Sequence, residues 1–166
     1  MVIINDGDGK GKTTAAIGQA IRSIGQGLRV KIIQLIKNGS SGEIKILQQL
    51  KIAVEQYGLG FTSKGDKSQH KISALKGVEA IKNSIDSGQF DMIICDEINY
   101  AVSGGLIEEK TVIDLIEQAN RSNVHLILTG RGATDRMIES ADIVTRMSKV
   151  KHAFDKGIKA QAGIEF

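Results

Sequence analysis

The chain has 166 residues, 41% of them hydrophobic and 25% charged, with a formal net charge of +3. That length supports one domain with a well-buried core and falls short of two comfortable ones. No apolar run approaches the roughly 18 residues that span a bilayer, and the single cysteine, Cys95, excludes an internal disulfide. No charged and then apolar leader with a cleavage site is read at the start, so the expectation is a mature, cytoplasmic chain. A pI near 9.0 suits anionic ligands. The lysines are scattered, however, and with two Tyr, four Phe and no Trp there is no base-stacking platform, so nucleic acid is not favoured.

Taken in order, the chain alternates short apolar runs with amphipathic segments. Val2-Ile3-Ile4-Asn5 reads as a strand, followed by a glycine loop and a helix over residues 12–24 that Gly25-Gln26-Gly27 ends. Residues 29–36 (RVKIIQLI) are rich in branched side chains and predict a second strand. After a loop at 38–42, a short helix over 43–50 carries Ile44, Leu47 and Leu50 on one face, and 53–57 reads as a third strand. Residues 58–68 form an eleven-residue polar loop, a length at which loops tend to be functional. The spacing of Ile72, Leu75, Val78, Ile81 and Ile85 predicts a helix over 69–87 with those residues inward. A strand at 90–95 ends in Asp96-Glu97, and a helix over 108–121 turns Val112, Ile113, Leu115 and Ile116 inward. Residues 124–128 predict a strand, 133–140 a short helix and Ile143-Val144 a last strand. This alternation implies parallel βαβ units in an α/β domain, with helices on both faces of the sheet and ligands at the carboxyl ends of its strands.

Four segments carry chemistry. Asp6-Gly7-Asp8-Gly9-Lys10-Gly11-Lys12-Thr13 nearly matches the P-loop pattern G-x-x-x-x-G-K-[ST], with Asp6 at the first glycine. Glycines let backbone N–H groups curl around phosphate, a helix start adds its positive end, Lys12 adds a full charge and the Thr13 hydroxyl suits Mg²⁺. The alternative is a flexible glycine turn that happens to contain lysine; the position straight after a strand and before a helix favours the phosphate loop. Met92-Ile93-Ile94-Cys95-Asp96-Glu97 carries an acidic pair to the sheet edge, where a carboxylate could serve the metal or cap a helix. Cys95 reads as a buried, inert thiol. In Leu128-Thr129-Gly130-Arg131-Gly132 the arginine either reaches an anion with its planar fork or is a surface charge on a turn. Phe61, apolar in the long polar loop, either tucks into the core or meets a ligand. His70, His125 and His152 lack metal-ligand spacing, and His125 reads as structural. The tail from Val150 to Phe166 fits no regular period, and a frayed end is its default.

Gly7–Ala16 (GDGKGKTTAA), Gly58–Thr62 (GLGFT), Cys95–Ala101 (CDEINYA), Leu128–Ala133 (LTGRGA) and Val150–Phe166 (VKHAFDKGIKAQAGIEF) resemble, in order and spacing, the P-loop ATP:corrinoid adenosyltransferases of cobalamin metabolism. The resemblance covers essentially the whole chain; the tail and the acidic segment are more specific than the loop. It implies a RecA-like P-loop domain with a mostly parallel sheet. It also implies a reaction in which the Co(I) of a reduced corrinoid attacks the 5′ carbon of ATP and triphosphate leaves. By motif, Gly7, Asp8, Gly9, Lys10, Gly11, Lys12, Thr13 and Thr14 would hold ATP. Thr13 with Asp96 or Glu97 would serve Mg²⁺, and Arg131 would complete the anion site. Lys12, Thr13, Glu97 and Arg131 would carry catalysis. Phe61 and Ser63 would face the corrinoid, Phe61 helping to keep the lower axial face of cobalt free of a ligand.

The resemblance further implies a homodimer, an electron donor such as a flavoprotein, and cobalamin or cobyrinic acid a,c-diamide as acceptor. Two departures stand out. Ser63 replaces a tryptophan found in relatives such as the enterobacterial enzymes, which alters the corrin-facing contact. The chain also starts at the first strand, without the N-terminal helical segment that some relatives place over the site. Two other readings of the same residues are a phosphotransferase or ATPase that leaves ADP, and a non-catalytic ATP- or corrinoid-binding homologue.

Overall fold

The computed structural model describes residues 1–39, 41–60 and 66–165. Six short strands form one sheet: β1 (Val2–Asp6), β2 (Val30–Gln34), β3 (Ala53–Gln56), β4 (Met92–Asp96), β5 (His125–Thr129) and β6 (Ile143–Arg146). Their order is β3-β2-β4-β5-β1-β6, and every pairing is parallel. The strand that precedes the glycine loop is thus separated from the strand of the acidic pair by one other, β5.

Side chains alternate between the faces of a strand, and that period divides the apolar residues between two cores. Val2, Ile4, Ile33, Ile93, Cys95, Leu126 and Leu128 pack on one face. There they meet α3 (Lys67–Asp86) and α5 (Glu109–Arg121). Ile32, Met92, Ile94 and Ile127 pack on the other, against Ala16 and Ala20 of α1 (Lys12–Gly25) and Leu47 of α2 (Gly42–Gln49). The strands are apolar on both sides because both sides are covered. Among the described residues, no helix is long and apolar enough to cross a membrane.

The sequence reading holds for the existence of all six strands and differs at four places. Leu50, expected to share a face with the buried Ile44 and Leu47 of α2, is 42% exposed. Val78, Ile81 and Ile85 of α3 are buried as expected, but Ile72 and Leu75 are 49% and 46% exposed, and His70, Ala74, Gly77 and Ser84 complete the buried stripe. The reason is close approach. A Cβ on Gly77 would lie 2.2 Å from Leu35 Cδ2, so small residues face the sheet and a count of large apolar ones misses them. A short helix, α4 (Ile98–Ser103), follows the acidic pair directly and was not expected from the pattern. Strand β6, after α6 (Asp135–Glu139), is longer than the two residues anticipated and lies exposed at the sheet edge. Cys95 is buried as expected.

Because all strands run one way, their carboxyl ends reach one edge. Gln56 pairs in register with Gln34, Gln34 with Asp96, Asn5 with Thr129, and Asn5 with Thr145. Apolar strands therefore end in a row of polar side chains, and the functional site is built on that row.

Candidate functional site

The glycine loop joins β1 to α1 at the centre of this edge. Gly11 caps α1 with φ 118°, a conformation that favours glycine. Ala15 N–H bonds to its carbonyl at 2.7 Å. Lys12 opens the helix, is buried, and donates from Nζ to Gly9 O at 2.7 Å. The far side of the loop leans on the strand end beyond β6: Gly9 N–H donates to Met147 O at 2.7 Å, and Met147 N–H donates to Asp6 O at 2.8 Å. The Gly9 amide is thus engaged within the fold, which narrows the expected cradle of amides to the part of the loop nearer α1. Asp6, at the place of the first P-loop glycine, is a fastener. Its buried carboxylate accepts from Ala133 N–H at 3.0 Å and lies 3.4 Å from Arg146 Nε.

Asp96, 1% exposed at the end of β4, is the hub of the site. Its Oδ1 accepts from Thr13 Oγ1 at 2.8 Å and Thr129 Oγ1 at 2.7 Å. Its Oδ2 accepts from Gln34 Nε2 at 3.0 Å and lies 3.1 Å from Lys37 Nζ. A buried carboxylate needs such partners, since an uncompensated one is strongly destabilising. Lys37 Nζ also lies 3.2 Å from Thr13 Oγ1. Gln34 is fixed in turn by Gln56, whose Nε2 donates to Gln34 Oε1 at 2.8 Å and to Gly39 O at 3.0 Å.

Glu97, half-buried, stands between β4 and α4 with φ 64°. A left-handed backbone at a non-glycine residue costs of order 1–3 kcal/mol and gathers at functional sites. The Glu97 N–H donates to Thr129 Oγ1 at 3.0 Å. Burial, and then the charge of Asp96, push the Glu97 carboxyl above its ordinary pKa, while Lys37, Lys12 and Arg131 pull it back. Lys12 moves the other way: burial first, and Arg131 second, lower it. Each group has become easier to neutralise, the expected state of charges held ready for a charged ligand.

Two cavities flank the loop. One, of about 450 Å³, is lined by Lys10, Gly11, Lys12, Thr13, Thr14, Ile17, Lys37, Gly42, Glu43 and Glu97, and by Gly163, Ile164 and Glu165 of the tail. The other, of about 590 Å³, lies across the loop and is lined by Asp6, Gly7, Asp8, Tyr100, Arg131, Arg146 and Lys149 among others. The anticipated residues therefore divide: Lys10 to Thr14 and Glu97 face the first cavity, whereas Gly7, Asp8 and Arg131 face the second. Arg131 lies 3.7 Å from Asp8, both well exposed. Its loop is pressed onto α4, since a Cβ on Gly130 would meet Tyr100 N at 2.7 Å. Phe61 and Ser63 lie outside the described residues.

Sequence reasoning missed Lys37, Gln34 and Gln56, which stand in no motif, and gave no role to Thr129, although it stands in the Leu128–Gly132 segment. Their signal is weak: Gln34, Gln56 and Thr129 close β2, β3 and β5, and Lys37 lies just beyond β2. It missed Asn99 too, whose amide is fully buried with no hydrogen-bond partner among the described residues. The tail, for which fraying is the default and which the family resemblance puts in the neighbourhood of the site, carries a short 3-10 turn (Ala153–Lys156) and reaches the first cavity.

The oxygen donors suit a hard divalent cation, and the Lys37 ammonium sits between Thr13 Oγ1 and Asp96 Oδ2 as a stand-in positive charge. Among the described residues no three or more His, Cys, Asp or Glu are grouped so that they could hold a metal ion by themselves. Phosphate oxygens and water would thus fill most of the shell of such an ion.

Comparison with known proteins gives the arrangement a context. A "Corrinoid adenosyltransferase" of Pseudomonas aeruginosa is 36% identical over 170 residues, covering 100% of this chain and 83% of its own length. That of Escherichia coli strain K12 is 33% identical over 168 residues, and the "Corrinoid adenosyltransferase CobA" of Salmonella typhimurium 34% over 168; each covers 100% of this chain and 85% of its own. Residues 1–166 match the family described as "ATP:corrinoid adenosyltransferase BtuR/CobO/CobP", and the chain belongs to that family.

Proposed function

We propose that this chain moves the 5′-deoxyadenosyl group of ATP onto the Co(I) centre of a reduced corrinoid, either cobalamin or cobyrinic acid a,c-diamide, and releases triphosphate. The carrying observation is the family match along the entire chain. The cobalt electron pair forms the Co–C bond, and the C5′–O bond breaks with its electrons passing to the triphosphate. Lys12, at the mouth of α1, would meet the negative charge that grows on this leaving group, since fixed charges act best where charge develops. Arg131 and the amides at the start of α1 would hold the remaining phosphate oxygens.

Thr13 Oγ1 and the Glu97 carboxylate would hold Mg²⁺, and Asp96, whose four acceptor positions are taken, would orient Thr13 from behind. When bound, the ion would neutralise triphosphate charge and fix its orientation. Phe61 and Ser63 are proposed to face the corrinoid. An electron donor of flavoprotein type would supply Co(I). The cytoplasm is the proposed location, supported by a single cysteine that is buried and inert; burial raises its thiol far above its ordinary pKa. A homodimer is proposed as well, supported by Ile143 and Val144 exposed on the edge strand β6; light scattering in solution tests it.

Incubation with ATP, Mg²⁺ and chemically reduced cobalamin or cobyrinic acid a,c-diamide decides the reaction. Adenosylated corrinoid and intact triphosphate in equal amounts are expected. ADP without any adenosylated product would overturn the proposal.

A further inference from the structure

Lys37 belongs to no motif that marks the site, yet its ammonium reaches the centre of it. Nζ lies 3.1 Å from Asp96 Oδ2 and 3.2 Å from Thr13 Oγ1. An ammonium is a compact point charge with three donors and no acceptor, carried on a flexible stem. Here it takes the Thr13 lone pair that a divalent cation would use, and it supplies the counter-charge for a carboxylate that is 1% exposed. Its side chain is 38% exposed and lines the first cavity. The backbone beneath it is fastened separately: Gly60 N–H donates to Ile36 O at 3.0 Å, and Gln56 Nε2 donates to Gly39 O at 3.0 Å. The side chain can therefore swing while its loop stays in place.

We propose that Lys37 is a tethered cation that holds the Asp96–Thr13 pair when no metal is bound and is displaced by the divalent ion that arrives with the nucleotide. This rests on the metal assignment made above. A dication on Thr13 Oγ1 would stand within a few ångströms of the ammonium, and two such charges repel strongly away from bulk water. The displaced ammonium stays in the cavity beside Lys10 and Lys12, where a triphosphate supplies its new counter-charge. Metal alone offers Lys37 no such partner, so metal and nucleotide bind together and metal without nucleotide binds weakly. Lys37 is in this sense a positioning residue that couples occupation of one ligand to the other.

The test is Mn²⁺ binding to the full chain without corrinoid, followed by water-proton relaxation, which separates protein-bound Mn²⁺ from Mn²⁺ on free ATP. The wild type is expected to take up Mn²⁺ with ATP and to bind it at least about tenfold more weakly without. Without ATP, Lys37→Met is expected to bind Mn²⁺ at least about tenfold more tightly than the wild type, whereas Lys37→Arg, which keeps the charge, stays within about threefold of it. Lys37→Gln carries the same expectation as Lys37→Met should the latter fail to fold. Nucleotide-free Mn²⁺ affinity in the neutral variants equal to or below the wild type, with ATP-dependent uptake intact, overturns the role of Lys37 and leaves the metal assignment standing. No uptake by the wild type even with ATP overturns the metal assignment, and this inference with it.

Discussion

Thr13 donates its hydroxyl to Asp96 at 2.8 Å, across 83 residues of sequence, and so ties the first turn of α1 to the end of β4. The same Asp96 oxygen takes the hydroxyl of Thr129 at 2.7 Å. The hydroxyl protons point at Asp96, which leaves the lone pairs of Thr13 directed away from it. A group that needs an oxygen donor, whether the Lys37 ammonium or a divalent ion, then finds Thr13 already turned. The glycine loop and the acidic pair are thus one mechanical unit before any ligand arrives.

Asp96→Asn tests that unit. The amide keeps the shape, but its NH₂ must face either two hydroxyl donors or Gln34 and Lys37. One set of donors is left without an acceptor in a buried place. The variant should lose about 3 kcal/mol of unfolding free energy in urea, as expected for breaking a buried charged network. Mg²⁺-dependent ATP binding should fall in parallel. Wild-type stability together with wild-type binding would refute the hub.

Lys12→Ala removes the charge at the mouth of α1 that is proposed to meet the developing leaving group. Losing a preorganised charge of this kind costs roughly 10²–10³ in kcat. Adenosylcorrinoid formation should drop by that much at saturating ATP, while the far-ultraviolet circular dichroism stays unchanged. Turnover within about threefold of the wild type would remove the loop from the catalytic step.

The six strands and most helices were legible in the sequence because a sheet covered on both faces demands continuous apolar runs. The two halves of the candidate site, the glycine loop and the acidic pair, could be picked out because each is a contiguous motif. Asp96 joins Gln34, Gln56, Thr129 and Lys37, by contrast, through strand order, and nothing local to Gln34 says that β2 lies beside β4. The first half of the inward face of α3 was misread for a different reason. Ala74 and Gly77 carry little hydrophobic signal, and it is their smallness that lets the helix reach Leu35 and Tyr57. Asp6 was read only as standing at the place of the first P-loop glycine, because its partners, Ala133 N–H and Arg146, come from the other end of the chain.

Gly58→Ala should show how closely the metal side of the site is joined to the segment that precedes Phe61. A Cβ at this position would lie 1.9 Å from Ile36 O and 2.4 Å from Lys37 O, both backbone atoms. Backbone has to move, and overpacking of this kind costs typically 1–3 kcal/mol. The midpoint of urea unfolding should fall accordingly, and the nucleotide-free Mn²⁺ affinity should change with it as Lys37 shifts. An unaltered unfolding midpoint would show that the two loops move independently.

Deleting residues 158–166 separates stability from binding. Every described side chain from 158 onward is exposed, so none contributes to the core. Unfolding free energy should stay within about 0.5 kcal/mol of the full chain, as for surface changes generally. Gly163, Ile164 and Glu165 nevertheless wall the cavity that holds Lys12 and Thr13. Affinity for Mg²⁺-ATP or for corrinoid should weaken by about tenfold, equivalent to ~1.4 kcal/mol. Calorimetry on both ligands identifies which one the tail serves, and unchanged affinity for both would dismiss the tail from the site.

Glu97→Gln sets function against stability, and pH reveals it. Burial first, and the charge of Asp96 second, hold the folded-state pKa of Glu97 above its ordinary 4.5. The folded chain therefore binds this proton more readily than the unfolded chain does. The stability linked to the protonated form is complete below pH 4.5 and is lost as pH rises through the raised folded value. Glutamine is permanently neutral and escapes that loss. The variant should thus be more stable than the wild type near pH 7, with the advantage shrinking as pH falls toward 4.5. It should also bind Mg²⁺-ATP more weakly at pH 7, because the carboxylate proposed to meet the ion is gone. Urea unfolding from pH 4 to pH 8 measures the first effect and calorimetry the second. A variant less stable at neutral pH would mean that ionised Glu97 supports the fold, and would deny it the character of a charge kept at a cost for its ligand.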